Sequence, residues 1–262
     1  MATSRKIVLT GGAGLVGQNL ILFLKEKGLD RIVSIDRSAA GNAIIRKLHP
    51  DVTVVDADLA EAGDWERQFE GAEAVVLLQA QISGLAYSQF VRNTLESTER
   101  VLAAARTYGV PYVVHISSSV VNSLADDFYS RSKRAQEEMV GDSGLTGVIL
   151  RPTLMFGWFD RKHLGWLARF MTRAPIFPIP GAGRYVRQPL FELDFCAVIA
   201  ACLERRLTGV YNISGLEKIH YIDLIRMVRE AIGARTPILR IPYRLFWLLI
   251  RAYALFGRPE WL

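Results

Sequence analysis

Two short stretches of the chain hold residues whose types and spacing suit chemistry: TGGAGLVG at residues 10–17 and YSRSK at residues 129–133. The first has the spacing T-G-x-x-G-x-x-G behind the apolar run Ile7, Val8, Leu9, so a strand is expected to end and a helix to begin there. Gly11 and Gly14 let the backbone turn sharply and approach a pyrophosphate, and Gly17 lets the helix pack on the strand. The free N–H groups and positive dipole end of that helix favour an anion. Asp36 ends a second apolar run at 32–35, about twenty residues beyond the loop, where a carboxylate accepts from the hydroxyls of an adenosine ribose. A 2'-phosphate beside Asp36 is repelled, although Arg37 next to it partly accommodates one, so NAD is favoured over NADP. Asp58, behind a third run at 52–55, suits an adenine amino group or, equally, the cap of a helix.

Tyr129 and Lys133 are four residues apart, hence on one face of a helix. A phenol with an ordinary pKa of about 10 is a poor base at neutral pH, but an adjacent ammonium and an oxidised nicotinamide both favour the phenolate. Lowering the pKa by about three units takes roughly 4 kcal/mol, within reach of two positive charges in a dry cleft. Tyr129 is then expected to take the proton of an alcohol while hydride leaves its carbon, with Lys133 also holding the nicotinamide ribose. A third group is expected at the end of the preceding strand, 112–116, where Ser117, Ser118 and Ser119 follow. A hydroxyl there donates to the substrate oxygen as charge develops on it.

These groups need a scaffold, and the pattern supplies one. Apolar, β-rich runs near 6–9, 31–35, 52–55, 74–78, 112–116 and 147–150 alternate with helical stretches, which predicts an α/β protein on a Rossmann-type doubly wound parallel sheet. After Arg151-Pro152 the rhythm breaks. Residues 174–183 read as a Pro/Gly-rich loop and 185–191 as extended, followed by a helix from Asp194, a strand at 209–213 and a helix from about 221. The expected division is a dinucleotide-binding domain over residues 1–151 that carries the catalytic residues, and a smaller, mainly substrate-binding C-terminal lobe over 152–262, interleaved with the last elements of the sheet.

A chain of 262 residues with 50% hydrophobic composition buries a substantial core. Cys196 and Cys202 fit neither a disulfide nor a metal pattern, and His49, His115, His163 and His220 form no ligand cluster, so no metal is expected. The chain enters its first strand directly, without a signal segment, and no apolar stretch reaches the roughly twenty residues that span a bilayer, so a cytoplasmic location is expected. A net charge of +6 suits phosphorylated ligands or an acidic membrane, and no aromatic-basic motif for nucleic acid accompanies it. Near the C-terminus, Arg244, Arg251 and Arg258 recur close to one helix face, opposite Phe246, Trp247, Leu249 and Ile250. Such a helix packs on the lobe or a second subunit, or lies in a membrane interface, so residues 243–258 are the candidate for a peripheral membrane contact.

Over nearly its whole length the chain resembles extended short-chain dehydrogenases/reductases of the NAD-dependent epimerase/dehydratase family, which act on nucleotide sugars. TGGAGLVG resembles that family's cofactor loop, YSRSK its catalytic pair and RPTLMFG at 151–157 its R-P-x-x-x-x-G segment. RQPLFELD at 187–194 resembles the stretch in which an arginine grips the substrate diphosphate, which makes Arg187 the implied phosphate clamp. The implied cofactor site comprises Gly11, Gly14, Leu15, Val16, Gly17, Asp36, Arg37, Asp58, Leu59, Gln79, Ala80 and Lys133, and a homodimer is implied as well. Alignment of Val121 with the family's S-S-x-x-V-Y-G puts the catalytic hydroxyl at Ser118, with Ser119 the alternative. Family dehydratases carry Asp-Glu directly after that hydroxyl, and Ser119-Val120 here speaks against a dehydratase. Leu78, Gln79, Ala80 and Gln81 replace the family's H-x-A-A, which alters the nicotinamide-side contacts. The implied activity is hydride transfer at a sugar carbon, C4, of a UDP- or dTDP-hexose, by an epimerase if the cofactor stays bound and by a 4-ketoreductase or dehydrogenase if it exchanges. The alternatives are a hydroxysteroid-like alcohol as substrate and a non-catalytic dinucleotide-binding scaffold. Arg187 and the basic charge weigh against the first, the intact Tyr129 and Lys133 against the second.

Overall fold

The structure is a computed structural model that describes residues 5–256, with side chains described through Leu248 and at Arg251. Along the chain run β1 (Lys6–Thr10), α1 (Leu15–Glu26), β2 (Arg31–Asp36), α2 (Ala39–Leu48), β3 (Thr53–Asp56), β4 (Ala74–Leu77), α3 (Tyr87–Phe90), α4 (Ser97–Thr107), β5 (Val113–Ile116), α5 (Phe128–Gly141) and β6 (Gly147–Pro152). They are followed by β7 (Met155–Phe156), α6 (Leu164–Met171), β8 (Phe177–Pro180), β9 (Val186–Arg187), β10 (Leu190–Phe191), α7 (Glu192–Arg205), β11 (Gly209–Ile213), β12 (Ile219–His220), α8 (Tyr221–Ala231), β13 (Ile238–Ile241) and α9 (Tyr243–Phe256). The chain divides into two units. One holds the residues up to Thr153 with Gly157–Phe159 and Leu190–Ile213, the other Leu154–Phe156, Asp160–Pro189 and the residues from Ser214 onward.

The first unit is built on a seven-stranded sheet in the order β11-β6-β5-β4-β1-β2-β3, parallel throughout. β4 and β5 are buried at every position, as strands covered on both faces must be, and this is why they read in the sequence as unbroken apolar runs. Trp65, Phe69, Val101, Leu102 and Ala105 join Val33, Val75 and Val113 in one core cluster. Strand order reverses between β1 and β4, the switch point at which the carboxyl ends of parallel strands open a crevice. The loops after β1, β2, β4 and β5 leave from those ends. α7 begins at Glu192, two residues ahead of the expected start, and places Glu192 and Asp194 in its first turn where the helix dipole favours acids.

In the second unit β8 pairs in parallel with β13, β9 antiparallel with β12, and Met171, Phe177, Ile179, Ile222 and Ile225 form the core. β8 corrects the loop expected at 174–183. The N–H groups of Phe177 and Gly181 donate to Pro237 and Ile241, while Pro178 and Pro180 occupy the alternate positions, whose N–H would face away from β13. The missing donors therefore cost the ladder nothing. α9 spans the expected segment, with Tyr243, Leu245, Trp247 and Leu248 exposed. Trp247 does not oppose the arginines: the Arg251 guanidinium lies 4.5 Å from its ring centroid, because residues four apart share a helix face. Arg258 and the side chains of Leu249 and Ile250 lie outside the described residues. No helix among the described residues is long and apolar enough to cross a membrane.

Candidate active site

Gly11 follows β1 with φ +74°, in the left-handed region that favours glycine, and its N–H donates to the Ile35 carbonyl at 2.8 Å. A Cβ there would stand 2.7 Å from the backbone nitrogen of Gln79, and one on Gly17 would stand 2.2 Å from the Gly12 carbonyl oxygen, so α1 packs directly on the loop. Gly12, not singled out by the spacing, is as tightly held: its Cβ would fall 2.3 Å from Ser34 Oγ. Gly14 is different. It is the N-cap of α1 with φ −75°, and a Cβ there would meet only the Gly11 oxygen at 3.3 Å. Packing does not demand glycine at this position. The α1 N-terminus has no side-chain cap and no acid in its first turn, so the N–H groups of Leu15, Val16 and Gly17 are suited to an anion.

The Asp36 carboxylate receives the N–H of Ala13 at 3.1 Å and of Ser38 at 2.8 Å, which fixes it against the same loop. Arg37 donates to Asn93 at 2.7 Å and lies 3.6 Å from Asp58. Asp58 accepts from the Ala60 N–H at 3.0 Å, as a cap would, and also from Arg92 at 2.7 Å. Burial alone would raise its carboxyl, but Arg92 and the Ala60 N–H outweigh burial and hold it below the usual carboxylate value. Leu59 is buried and Ala80 half-buried. Arg92 and Asn93 come from a π-helical turn, Val91–Glu96, that no sequence pattern announces. The Gln79 side chain turns into the fold, accepting from Thr10 Oγ1 at 2.6 Å, and its backbone lies under Gly11.

The three serines after β5 take different parts. Ser117 donates to Glu137, which holds Arg151 through Nε at 3.0 Å and Nη2 at 2.6 Å. Ser118 caps the 3₁₀ turn Ser119–Asn122, accepting from Val120 N–H at 3.4 Å, and it is near enough to Tyr129 to lower the phenol. Ser119 opens that turn. Of the two alternatives, Ser118 is the one brought to the phenol.

Tyr129 and Lys133 lie on α5, whose N-cap Asp127 accepts from the Ser130 N–H at 2.9 Å. Burial pushes the Tyr129 phenol above its ordinary value; Ser118 pulls against this and the Asp127 charge adds to it. In the protein alone desolvation dominates the phenol, whereas the lowered value expected above invokes the ammonium and the nicotinamide together. Lys133 is fully buried, with Nζ donating to the Ile116 carbonyl at 2.9 Å and to Gln136 Oε1. Burial pushes its ammonium down to about 7, against the Glu137 charge. His115, buried beside it, is pushed well below the usual imidazole value by burial and by the Lys133 charge.

In the second unit Arg187 lies on β9, its guanidinium 5.1 Å from the Tyr185 ring centroid, and Tyr185 stacks on Tyr221 at 4.7 Å. Arg187 forms no ion pair with a carboxylate among the described residues. It lines a cleft of about 420 Å³ with Lys162, His163, Leu154, Trp166 and Tyr221. Asp160 shapes the rim by accepting from the N–H groups of His163 at 2.8 Å and Gly165 at 2.9 Å. Lys162, His163, Trp166 and Tyr221 escape sequence reasoning, since RKHLGW has no diagnostic spacing. Among the described residues no group of three or more His, Cys, Asp or Glu could hold a metal ion.

A seven-stranded parallel sheet, a glycine loop at its switch point and a Ser–Tyr–Lys group at the end of β5 define a dinucleotide-dependent fold of the short-chain dehydrogenase type. The profile of the NAD dependent epimerase/dehydratase family matches residues 7–214, and the chain belongs to that family. It is 25% identical over 251 residues to the ceramide reductase of Caulobacter vibrioides, covering 92% of this chain and 76% of that protein. It is 24% identical over 270 residues to a 3 beta-hydroxysteroid dehydrogenase/Delta 5-->4-isomerase of Mycobacterium tuberculosis, covering 90% of this chain and 72% of that protein. The fold is shared with the dTDP-glucose 4,6-dehydratase DesIV of Streptomyces venezuelae, solved with NAD bound, at a TM-score of 0.78 and 22% identity over 91% of this chain and 84% of that one.

Proposed function

We propose that the protein is an NAD-dependent enzyme of hydride transfer acting on a UDP- or dTDP-linked hexose, as an epimerase or a 4-ketoreductase, with Tyr129 as its acid–base. The observation that carries this reading is Tyr129 and the fully buried Lys133 one turn apart on α5, with Lys133 Nζ tied to the Ile116 carbonyl at the end of β5, where Ser118 lowers the Tyr129 phenol. The residues that would hold the cofactor are Gly11, Gly14, Leu15, Val16 and Gly17 at the pyrophosphate, Asp36 and Arg37 at the adenosine ribose, Asp58 and Leu59 at the adenine, and Gln79, Ala80 and Lys133 on the nicotinamide side. The open position at Gly14, the uncapped start of α1 and the oriented Asp36 carboxylate support that fit, and the carboxylate favours NAD over NADP. NAD, when bound, supplies the hydride acceptor and a positive ring. Tyr129 as phenolate takes the proton of the substrate hydroxyl, and in the reverse direction returns it to the carbonyl oxygen. Ser118 donates to that oxygen, and the Lys133 ammonium stabilises the phenolate.

Arg187, with Lys162 and His163 in the same cleft, is suited to a diphosphate, and Trp166 and Tyr221 offer aromatic faces. A second reading, an alcohol or ketone with an apolar body such as a hydroxysteroid, draws on Leu154, Leu164, Leu167 and Trp166 lining that cleft and on the named activities of the two relatives. A homodimer and a peripheral membrane contact through residues 243–258 complete the proposal; sedimentation velocity and liposome co-sedimentation test them. The deciding experiment denatures the purified protein, identifies released dinucleotide by mass spectrometry, and assays UDP- and dTDP-hexoses beside steroid and long-chain ketones. Sugar turnover with retained NAD supports an epimerase, and with exchanging cofactor a reductase. Turnover of apolar ketones alone rejects the sugar, and absence of dinucleotide affinity overturns the whole reading.

A further inference from the structure

Behind the Tyr–Lys pair lies a buried polar chain. Lys133 Nζ donates to Gln136 Oε1, Gln136 Nε2 donates to Thr98 Oγ1 at 2.7 Å and reaches the Gln79 carbonyl at 3.4 Å, and Gln79 Oε1 accepts from Thr10 Oγ1 at 2.6 Å. Thr10, Gln79, Thr98, Gln136 and Lys133 are all buried. Four elements meet here: the end of β1, the loop after β4, α4 and α5. The Gln136 amide has one workable orientation. Turned over, its NH₂ would face the ammonium and its oxygen the Gln79 carbonyl, so the contacts with Thr98 and Gln79 keep the oxygen on Lys133.

Resting on the assignment of Tyr129 and Lys133 above, we propose that Gln136, anchored by Thr98 and Gln79, is a positioning residue that holds the Lys133 ammonium charged and directed at the reacting pair. An ammonium has three N–H donors. Two go to the Ile116 carbonyl and Gln136, and this sets the direction of the third. In a fully buried site, removing one acceptor leaves a desolvated charge short of a partner, and the lysine sheds its proton more readily. The other ionisable groups that face Lys133 are Glu137 and Tyr129 on its own helix and His115 on β5. Glu137 favours the ammonium, and His115, held neutral by burial, contributes no charge of its own. Because the Gln79 backbone also supports Gly11, the lysine is placed relative to the nucleotide loop and not by α5 alone.

The test uses the full chain labelled with [13Cε]lysine and titrated by NMR without cofactor; Lys133→Met assigns its signal among the seven lysines. Gln136→Met, close in shape, is expected to lower the proton affinity of Lys133 by about tenfold or more, the size of one hydrogen bond to a charged group. Gln136→Glu is expected to raise it by a similar factor, and Thr98→Val, which frees the amide without touching the lysine, to lower it less. The alkaline limb of the kcat–pH profile should move with the NMR titration in each variant. Folded Gln136→Met and Gln136→Glu proteins whose Lys133 titrates as in the unmodified chain overturn the proposal. If Tyr129→Phe keeps full turnover, the catalytic reading fails instead, while the NMR titration still decides whether Gln136 holds the ammonium.

Discussion

Gly17→Ala and Gly14→Ala put the same methyl group three residues apart and should do opposite things. At Gly17 the methyl falls 2.2 Å from the Gly12 oxygen and 2.5 Å from its Cα, both backbone atoms that have nowhere to go. Relief requires α1 to withdraw from the loop by about 1 Å in an interior that is otherwise close-packed. Overpacking of this kind costs about 1–3 kcal/mol, and at roughly 2–4 °C per kcal/mol for a chain of this size the melting temperature should fall by about 2–12 °C. At Gly14 the methyl meets only the Gly11 oxygen at 3.3 Å, and φ −75° is comfortable for alanine. The fold loses no more than about 1 kcal/mol, for a poorer N-cap. The space that methyl takes is, however, the approach proposed for the pyrophosphate. Calorimetric titration of NAD into protein stripped of dinucleotide, beside thermal unfolding followed by circular dichroism, separates the two. Gly14→Ala should unfold nearly as the parent does and bind NAD at least tenfold more weakly. Parental NAD affinity in that variant would remove the pyrophosphate from the α1 N-terminus, and a parental melting temperature in Gly17→Ala would refute the packing argument.

Tyr129→Phe should lower kcat by about 10²–10⁴, the usual worth of a positioned acid–base, while NAD affinity stays within a few-fold; unchanged turnover in a steady-state assay would point to the scaffold reading. Arg187→Ala should raise KM for the UDP- or dTDP-sugar by roughly 10- to 100-fold, the loss of a charge-assisted contact, and leave NAD binding alone; an effect on NAD binding instead would disconnect the arginine from the substrate. Burial pushes the Lys133 ammonium down to about 7 in the folded protein, against its ordinary 10.5 in the unfolded chain, so between these values the unfolded chain binds more protons and stability rises with pH. Urea unfolding should show the parent gaining roughly 2 kcal/mol on Lys133→Met between pH 7 and pH 9, and a flat difference would mean that the lysine is not desolvated.

What the sequence discloses is what short spacing encodes. The strands are legible because a parallel sheet covered on both faces turns each strand into an apolar run, and the nucleotide loop because its glycines lie within eight consecutive residues. Pro178 and Pro180 make β8 resemble a loop in the sequence; that they occupy the positions whose N–H would face away from β13 depends on register, which spacing does not encode. The serine cluster is legible in the sequence, but the 3₁₀ turn that Ser118 caps and Ser119 opens, which gives the two hydroxyls different surroundings, is not. The burial that raises the Tyr129 phenol in the protein alone is not legible in YSRSK, where the neighbouring ammonium is. Gln136 is the extreme case. Its partners Gln79 and Thr98 lie 57 and 38 residues away, and they meet only because β4 lies beside β1 and the helices α4 and α5 pack next to each other. A proton-transfer pair can be specified within one turn of helix, whereas the groups that set its charge must come from wherever the fold leaves a dry space around it. Positioning residues are for that reason the part of such a site that spacing alone discloses least, and the part in which two chains with the same Tyr and Lys differ most readily.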